Sequence, residues 1–548
     1  MNPRTSASVA RLNLPRSGRT RLFLAFAVLL VGARLAVVGM CAPLVPFWDE
    51  WTATAAFILK PWNEFHHVAW SALWAPHNDH RIVLTRLWEI AWFTLLGEWD
   101  PTVVATANAC VLTAAQAGFV GWVARSWTSC ARAGWFSVAA ALLVVPFGYA
   151  NLLVSFQSQF HFLAALGLLA VVAVTRVETT RWGLPVTLGA AALALFSTGA
   201  GLLVAVIVGC VAAVQSVARR RVTARTSIVW AGAVLIFAVG WSVRPPPTFN
   251  PATSAQIAVA SARYASWPAS NLANLVAGWP ESARYLPARI GRWPSAEKPA
   301  IAVVAAAIQR HPFAITTGFG ALMLISFLPS IVLFVRLLRA GDPSEQPAAW
   351  ALVTLAGWSA LNALGMAAAR SGDLLVPPRY QDLLVLGLLA NAGALFALRQ
   401  FSSPSTRALR PLIWLWTVPT GVAVAFTAVG VVGVQLPRKA SESAGARETV
   451  QSYVASGNPE LFRNRPTNFV PSPGNEEALA QALLEPGMRA ILPVELRSPV
   501  VAPSLPGRIV RVVLRASGGV AVLAAIFFAV LVFRNRNSAP LPSPAFSS

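Results

Sequence analysis

Charge is what this sequence has least of. Asp, Glu, Lys and Arg make up 12% of 548 residues, where soluble domains carry about a quarter. That scarcity excludes a cytosolic enzyme and a disordered chain. Lysine is nearly missing, with only Lys60, Lys298 and Lys439 present, so the formal charge of +22 is carried by arginine. In a chain this apolar, such an excess marks membrane topology rather than a nucleic-acid footprint, and no nucleic-acid partner is expected. The four cysteines, Cys41, Cys110, Cys130 and Cys210, show no paired spacing. They form neither a disulfide framework nor a zinc site. No internal repeat is visible, which disfavours the inverted-repeat transporter folds.

Apolar residues are what is there, at 56% with a mean hydropathy of +0.59. A membrane helix needs roughly 20 mainly apolar residues. Scanning on that rule gives twelve segments: 22–41, 102–123, 134–146, 159–174, 183–196, 202–217, 227–243, 312–335, 348–369, 383–398, 411–436 and 512–533. Several of these, the third to the sixth above all, are short and must borrow flanking residues. The expected fold is an all-α integral membrane protein of about twelve spans.

Placing the N-terminus inside puts twenty arginines in the cytoplasm with three acidic residues, Glu178, Asp342 and Glu345; the other eighteen acids fall outside. Every second loop then obeys the positive-inside rule, and an even span number leaves both tails in the cytoplasm. The expected layout is a multi-pass protein of the plasma (inner) membrane. It has a basic tail at 1–21, a transmembrane domain over 22–436, an outer element at 437–511, a last span at 512–533 and a Pro- and Ser-rich disordered tail at 534–548. The apolar run from Leu22 is long, contains Arg34 and lacks a small-x-small cleavage site, so it reads as an anchor rather than a cleaved signal.

Outer loops at 42–101 and 244–311 are rich in tryptophan, which favours the headgroup level of the membrane. Within the first, Arg81 to Trp99 reads as a helix lying on the surface, with Leu84, Leu87, Trp88, Ala91 and Leu95 on one face and Arg86 able to pair with Glu89. The outer element has a helical stretch near Ala478–Leu484 and suits a small lid or acceptor-binding piece.

Five polar constellations fall on this one outer face. Asp49-Glu50 follows the first span between tryptophans; the pair suits a general base or a cation ligand, or else acids at a helix N-terminus. His77-Asn78-Asp79-His80-Arg81 comes about thirty residues later. Asn78 or Asp79 could cap the next helix, and His77 with His80 could ligate a metal. The run Asn151 to His161 includes Gln157 and either binds substrate or hydrogen-bonds neighbouring helices. Ser197-Thr198-Gly199-Ala200-Gly201 is a tight turn whose hydroxyls could meet a phosphate or sugar. Arg370 and Arg379-Tyr380 break the inside bias for arginine. They either snorkel to headgroups or hold a phosphate in a guanidinium fork. An acid-walled, arginine-lined pocket explains the clustering economically.

In this layout the chain resembles the GT-C glycosyltransferases, which use polyprenyl-phosphate-linked sugars. Closest in pattern are the protein O-mannosyltransferases and the aminoarabinose transferase of lipid A. Asp49-Glu50 matches the acidic pair after the first span of that family, Pro76 to Arg81 occupies its second motif position, and Leu95-Leu96-Gly97 closes the following helix. The family's His-Pro-Pro-Leu is absent; His77 leads instead into Asn-Asp-His-Arg. The resemblance covers residues from about 20 to 125 and is architectural beyond.

It implies transfer of a sugar from a polyprenyl-phosphate donor to an extracytoplasmic acceptor, with membrane lipids as further partners. Asp49 would be the base, and Glu50 would support it or help to hold a divalent cation. Arg379, Arg370 and Arg81 would bind the donor phosphate. His77, Asn78, Asp79, His80, Gln157, His161 and Tyr380 would bind substrate. The competing classes are an envelope polysaccharide polymerase or ligase and a secondary transporter.

Overall fold

In the computed structural model the described residues are 16–41, 44–78, 80–246, 253–268, 312–340, 343–371, 376–401, 409–463, 465, 469–472, 474–497 and 504–537. Asp79, most of the 244–311 loop, Gly372-Asp373 and the two expected tails beyond residues 16 and 537 lie outside them. Among the described residues the secondary structure is helical throughout, the one β-bridge being the contact of His77 with His80.

Among the described residues ten helices are long and apolar enough to cross a membrane, and two apolar helices are shorter. Each of the twelve expected segments maps onto one of them. In chain order the elements that place the site begin with α1 (Arg16–Cys41), α2 (Val83–Leu96), α3 (Pro101–Ala124), α4 (Ser129–Leu143) and α5 (Ser158–Val174). Then come α6 (Gly183–Ala194), α7 (Leu202–Arg219), α8 (Ala224–Ser242), α9 (Pro312–Ala340), α10 (Pro347–Ala369) and α11 (Pro378–Phe401). Last are α12 (Arg410–Gly430), α13 (Leu436–Ser456) and α14 (Leu505–Asn537). The short helices are α4 and α6.

Local chemistry sets many boundaries. Asp100 caps α3 by accepting the backbone N–H of Thr102 and Val103, and Pro101 supplies a first residue that needs no donor. Thr223 and Thr226 cap α8 reciprocally. Between α12 and α13 the helix widens to π geometry over Val431–Gln435, so that one rod runs from 410 to 456.

Two cores result. The larger lies among the long helices, with α1 against α14, α10 against α11, and α7 against α8. At the rim, large apolar residues such as Leu523, Ile526 and Phe527 of α14 stay exposed, as a lipid-facing surface requires. The second core joins the first outer loop to the outer element: Trp51, Ile58, Phe93 and Trp99 pack with Val450, Tyr453, Leu483 and Ile491. The expected helix at Ala478–Leu484 is present as Glu476–Leu484. The described part of residues 437–497 therefore packs together with residues 44–99 as one cap. Arg511 ties it down, bonding Asp100 at 2.9 Å and Glu495 at 2.7 Å.

One expectation fails at α2. Arg86 and Glu89 do not pair on the surface. Both are buried, and Arg86 donates instead to the Leu73 and Ala75 carbonyls. The expected apolar stripe of Leu87, Ala91 and Leu95 is the exposed face. The helix is amphipathic in the opposite sense from one on a water-soluble protein, with its polar side turned into the fold and its greasy side turned out.

Candidate active site

The site begins where α1 ends. Trp48 holds φ at 51°, a left-handed conformation that costs a bulky residue of order 1–3 kcal/mol. Its N–H donates to Pro471 of the outer element at 2.9 Å, so the cap helps to hold the strain. The chain then enters a ten-residue π-helix over Glu50–Leu59. Such wide helices are rare and frequent at functional sites.

This turn sends two adjacent carboxylates opposite ways. Glu50 points inward and is 1% exposed. It accepts the N–H of Phe47 at 2.5 Å, the N–H of Phe156 at 3.1 Å and the Ser155 hydroxyl. Burial pushes its carboxyl up, against the pull of those donors. Glu89 of α2 is its neighbour and is as deeply buried. Burial first, and then the charge of Glu50, pushes Glu89 up to about 8. Glu50 holds three hydrogen bonds, whereas the pull of Ser155 and Trp99 on Glu89 is the smallest influence on it and is outweighed by burial. Glu89 is therefore the carboxyl that carries the proton.

Asp49 points outward, with 53% of its side chain exposed. Its Oδ2 lies 3.3 Å from His77 Nε2. That hydrogen bond, reinforced by the charges of His77 and Arg379, holds Asp49 below the usual carboxylate range. Asn78 Nδ2 lies 3.2 Å from the same ring nitrogen. With Nε2 protonated, the imidazole donates to Asp49 and has nothing to accept from Asn78. The His77 ring sits edge-on to Phe156, centroids 4.9 Å apart.

His77 and His80 are fixed by a tight turn in which each backbone N–H donates to the other's carbonyl, at 2.8 and 3.0 Å. Asn78 takes the left-handed position that asparagine tolerates, with φ at 49°. It does not cap α2, whose N-cap is Ile82. His80 Nδ1 accepts the Gly199 N–H at 3.1 Å, which pins the 77–80 turn to the 197–201 turn. Arg81 is committed to structure as well: it donates to the Val243 carbonyl at 2.7 Å and the Trp74 carbonyl at 2.6 Å, and lies over the Trp74 ring.

Behind this turn lies a cavity of about 560 Å³ between the ends of α6, α8 and α10 and the starts of α7 and α11. Phe196, Leu203, Phe237 and Met366 make it apolar, while His80, Arg81, Thr198, Arg244 and Tyr380 bring polar groups to it. Arg370 follows Ala369 of its lining and closes α10. Arg379, half-buried at the start of α11, lies over the Tyr380 ring. Asn151 fixes that helix start by donating to the Arg379 carbonyl at 2.7 Å and to Asp382 Oδ2 at 2.8 Å.

The fold thus gathers Asp49, His77 and Asn78 at one point, brings Arg379 within electrostatic range of Asp49, and sets His80, Arg81 and Tyr380 on the adjoining cavity. It does not bring all expected residues there. Gln157 accepts a hydrogen bond from Gln159 at 3.3 Å. His161 is buried inside α5, and its ring nitrogens have no hydrogen-bond partner among the described residues. The polar side chains of the run at 151–161 bond neighbouring segments, with Asn151 clamping α11 and Ser155 with Phe156 holding Glu50, while Phe160 of the same run lines the cavity. Ser155, Glu89, Asn151 and Asp382 are the residues that sequence reasoning passed over. By spacing Glu89 reads as a surface partner of Arg86, and Ser155 and Asn151 lie within the 151–161 run.

Glu50 is turned away from Asp49 into the fold, and among the described residues no three His, Cys, Asp or Glu side chains converge as a ligand set.

These features define a multi-pass integral membrane protein whose first outer loop and late helix ends share one polar centre beside an apolar cavity. No known protein family, curated protein or solved structure matches the chain.

Proposed function

We propose that the protein is a membrane glycosyltransferase of the GT-C type, with about twelve spans and the Asp49 centre on the extracytoplasmic side. It moves a sugar from a polyprenyl-phosphate donor to an acceptor hydroxyl. The observation that carries this reading is Asp49 held by His77, with Arg379 from a distant part of the chain close enough to act on its charge, beside a cavity apolar enough for a lipid tail.

Chemistry assigns the roles. Asp49 is ionised at neutral pH and accessible, so it accepts the acceptor hydroxyl's proton while that oxygen attacks the anomeric carbon. The bond from that carbon to the donor phosphate breaks, and Arg379 stabilises the negative charge gathering on the departing phosphate. His77 orients Asp49. Glu50 is a scaffold for the turn. One displacement inverts the anomeric centre, which comparing donor and product configuration tests.

The deciding experiment is Asp49→Asn in the full chain, read by the cell-envelope glycan and glycolipid profile. The proposal expects the product to be lost while membrane insertion and yield stay normal. Full product from that variant removes Asp49 from the chemistry and with it this reading.

A second reading rests on a specific observation. Arg34, His161 and Asp382 are all buried within apolar helices, and ionisable residues inside such helices are also a mark of transporters. Arg34 spends its donors on Thr113, at 2.9 Å, and Gln116, which also suits a purely structural seam. Solute uptake that depends on this protein and survives Asp49→Asn favours transport.

A further inference from the structure

At the opposite end of α7 from the apolar cavity, about 27 Å away by helix rise, two more cavities adjoin. The helix stops at Arg219, and Arg220 turns left-handed with φ at 53°. That turn sets three arginines in succession at the helix end. The first cavity, about 520 Å³, is lined by Arg219, Arg220, Arg221 and Arg339, with Glu178 its one acid among the described residues. Glu178 already accepts the Thr223 hydroxyl at 2.5 Å.

The second cavity, about 480 Å³, shares Arg220 and Arg221 and runs between α7 and α8 over Ser216, Val217, Val222 and Trp230. Its apolar side chains are open to the surroundings: Val217 is 72% exposed, Val222 70% and Trp230 53%.

Each cavity alone is ordinary; their junction is informative. Among the described residues, Arg220, Arg221 and Arg339 gather about the single carboxylate of Glu178, a positive excess that an anion relieves, and the guanidinium fork matches phosphate. A free anion has no use for the greasy groove that continues from the same two arginines. A molecule with an anionic head and an apolar tail uses both. The tryptophan lies where aromatic side chains meet the membrane boundary, and basic pockets between helix ends suit anionic headgroups.

We propose that the joined cavities form a binding site for an anionic phospholipid of the leaflet remote from Asp49. The phosphodiester sits among Arg220, Arg221 and Arg339, and an acyl chain lies along Val217, Val222 and Trp230. The site is independent of the transferase reading, since it shares no residue with the Asp49 centre.

The test uses the purified full chain in neutral detergent, titrated with phosphatidylglycerol, phosphatidylcholine or inorganic phosphate. Bound lipid is read by native mass spectrometry and stability by the apparent Tm. Phosphatidylglycerol is retained and raises the Tm; the other two do neither. Arg220→Gln with Arg221→Gln weakens phosphatidylglycerol binding at least tenfold. Trp230→Ala weakens it as well, which a simple anion site does not predict. If the double variant is not recovered folded, Arg339→Gln on the separate helix α9 takes its place with the same expected loss. Equal binding of both lipids, phosphatidylglycerol binding unchanged in the arginine variants or in Trp230→Ala, or the same Tm rise with inorganic phosphate overturns the site.

Discussion

Glu89→Gln isolates the electrostatic logic beneath the site. Glu89 is 1% exposed and is pushed from an ordinary 4.5 to about 8, by burial and then by Glu50. Its folded pKa lies above its unfolded one. Between these two values the folded chain holds a proton that the unfolded chain has released. The stability that Glu89 contributes is fully present below the unfolded value and falls by about 1.4 kcal/mol per pH unit as pH rises through that window. At pH 7 the accumulated cost is about 3 kcal/mol. Glutamine keeps the shape of the protonated carboxyl and does not titrate, so the variant has no such slope. The assay is a thermal scan at fixed rate in detergent, wild type beside variant, from pH 5 to 8.5. The expected result is near-coincidence at the acid end and a gap in favour of the variant that widens with pH and levels off near pH 8. Parallel curves, or a variant that loses stability at every pH, refute the assignment of the proton to Glu89.

Three further outcomes follow from named contacts. Arg511→Ala leaves Asp100, 1% exposed, without its cation and costs about 3 kcal/mol; limited proteolysis then opens residues 457–497 before the long helices. Asn151→Ala strips the donor from Asp382 and from the Arg379 carbonyl, costing about 2 kcal/mol, and it lowers product yield more than Gln157→Ala does. His77→Ala removes the largest cause of the depressed Asp49 pKa. For the proposed transferase, the acid limb lies below the ordinary Asp value of 3.8 in the wild type and moves up past it in the variant, because burial of Asp49 then outweighs the remaining charge of Arg379, while the alkaline side stays put.

The sequence discloses the long helices because an apolar stretch that must cross lipid has few alternatives, and all twelve segments are helical here. The gathering of Asp49 and His77 was also legible: a short loop between two anchored helices keeps such motifs close. Partner choice within the helices was not. Arg86 and Glu89 have the spacing of a surface pair, but spacing says nothing about which side of α2 faces the fold. The same blindness applies to Arg81, whose guanidinium is consumed by the Trp74 and Val243 carbonyls, and to Glu50, whose neighbour in sequence faces the other way. Backbone geometry separates the two acids: the left-handed Trp48 and the π-helix after it are invisible to periodicity. The joint between residues 44–99 and the outer element depends on contacts between segments hundreds of residues apart, and composition alone cannot pair them.

The contact of α1 with α14 bears on how the molecule is made. Gly32 meets the Ala521 backbone and Gly39 meets Leu514, so these two helices lie close through small residues. During synthesis the first helix therefore waits for the last. At about 5–20 residues per second the delay is on the order of half a minute to two minutes. Through that interval its glycine face is open to lipid, to chaperones or to another nascent chain. Errors of biogenesis should accordingly surface as exchange of the final helix between molecules, a failure that no loss of chemistry at Asp49 would reveal.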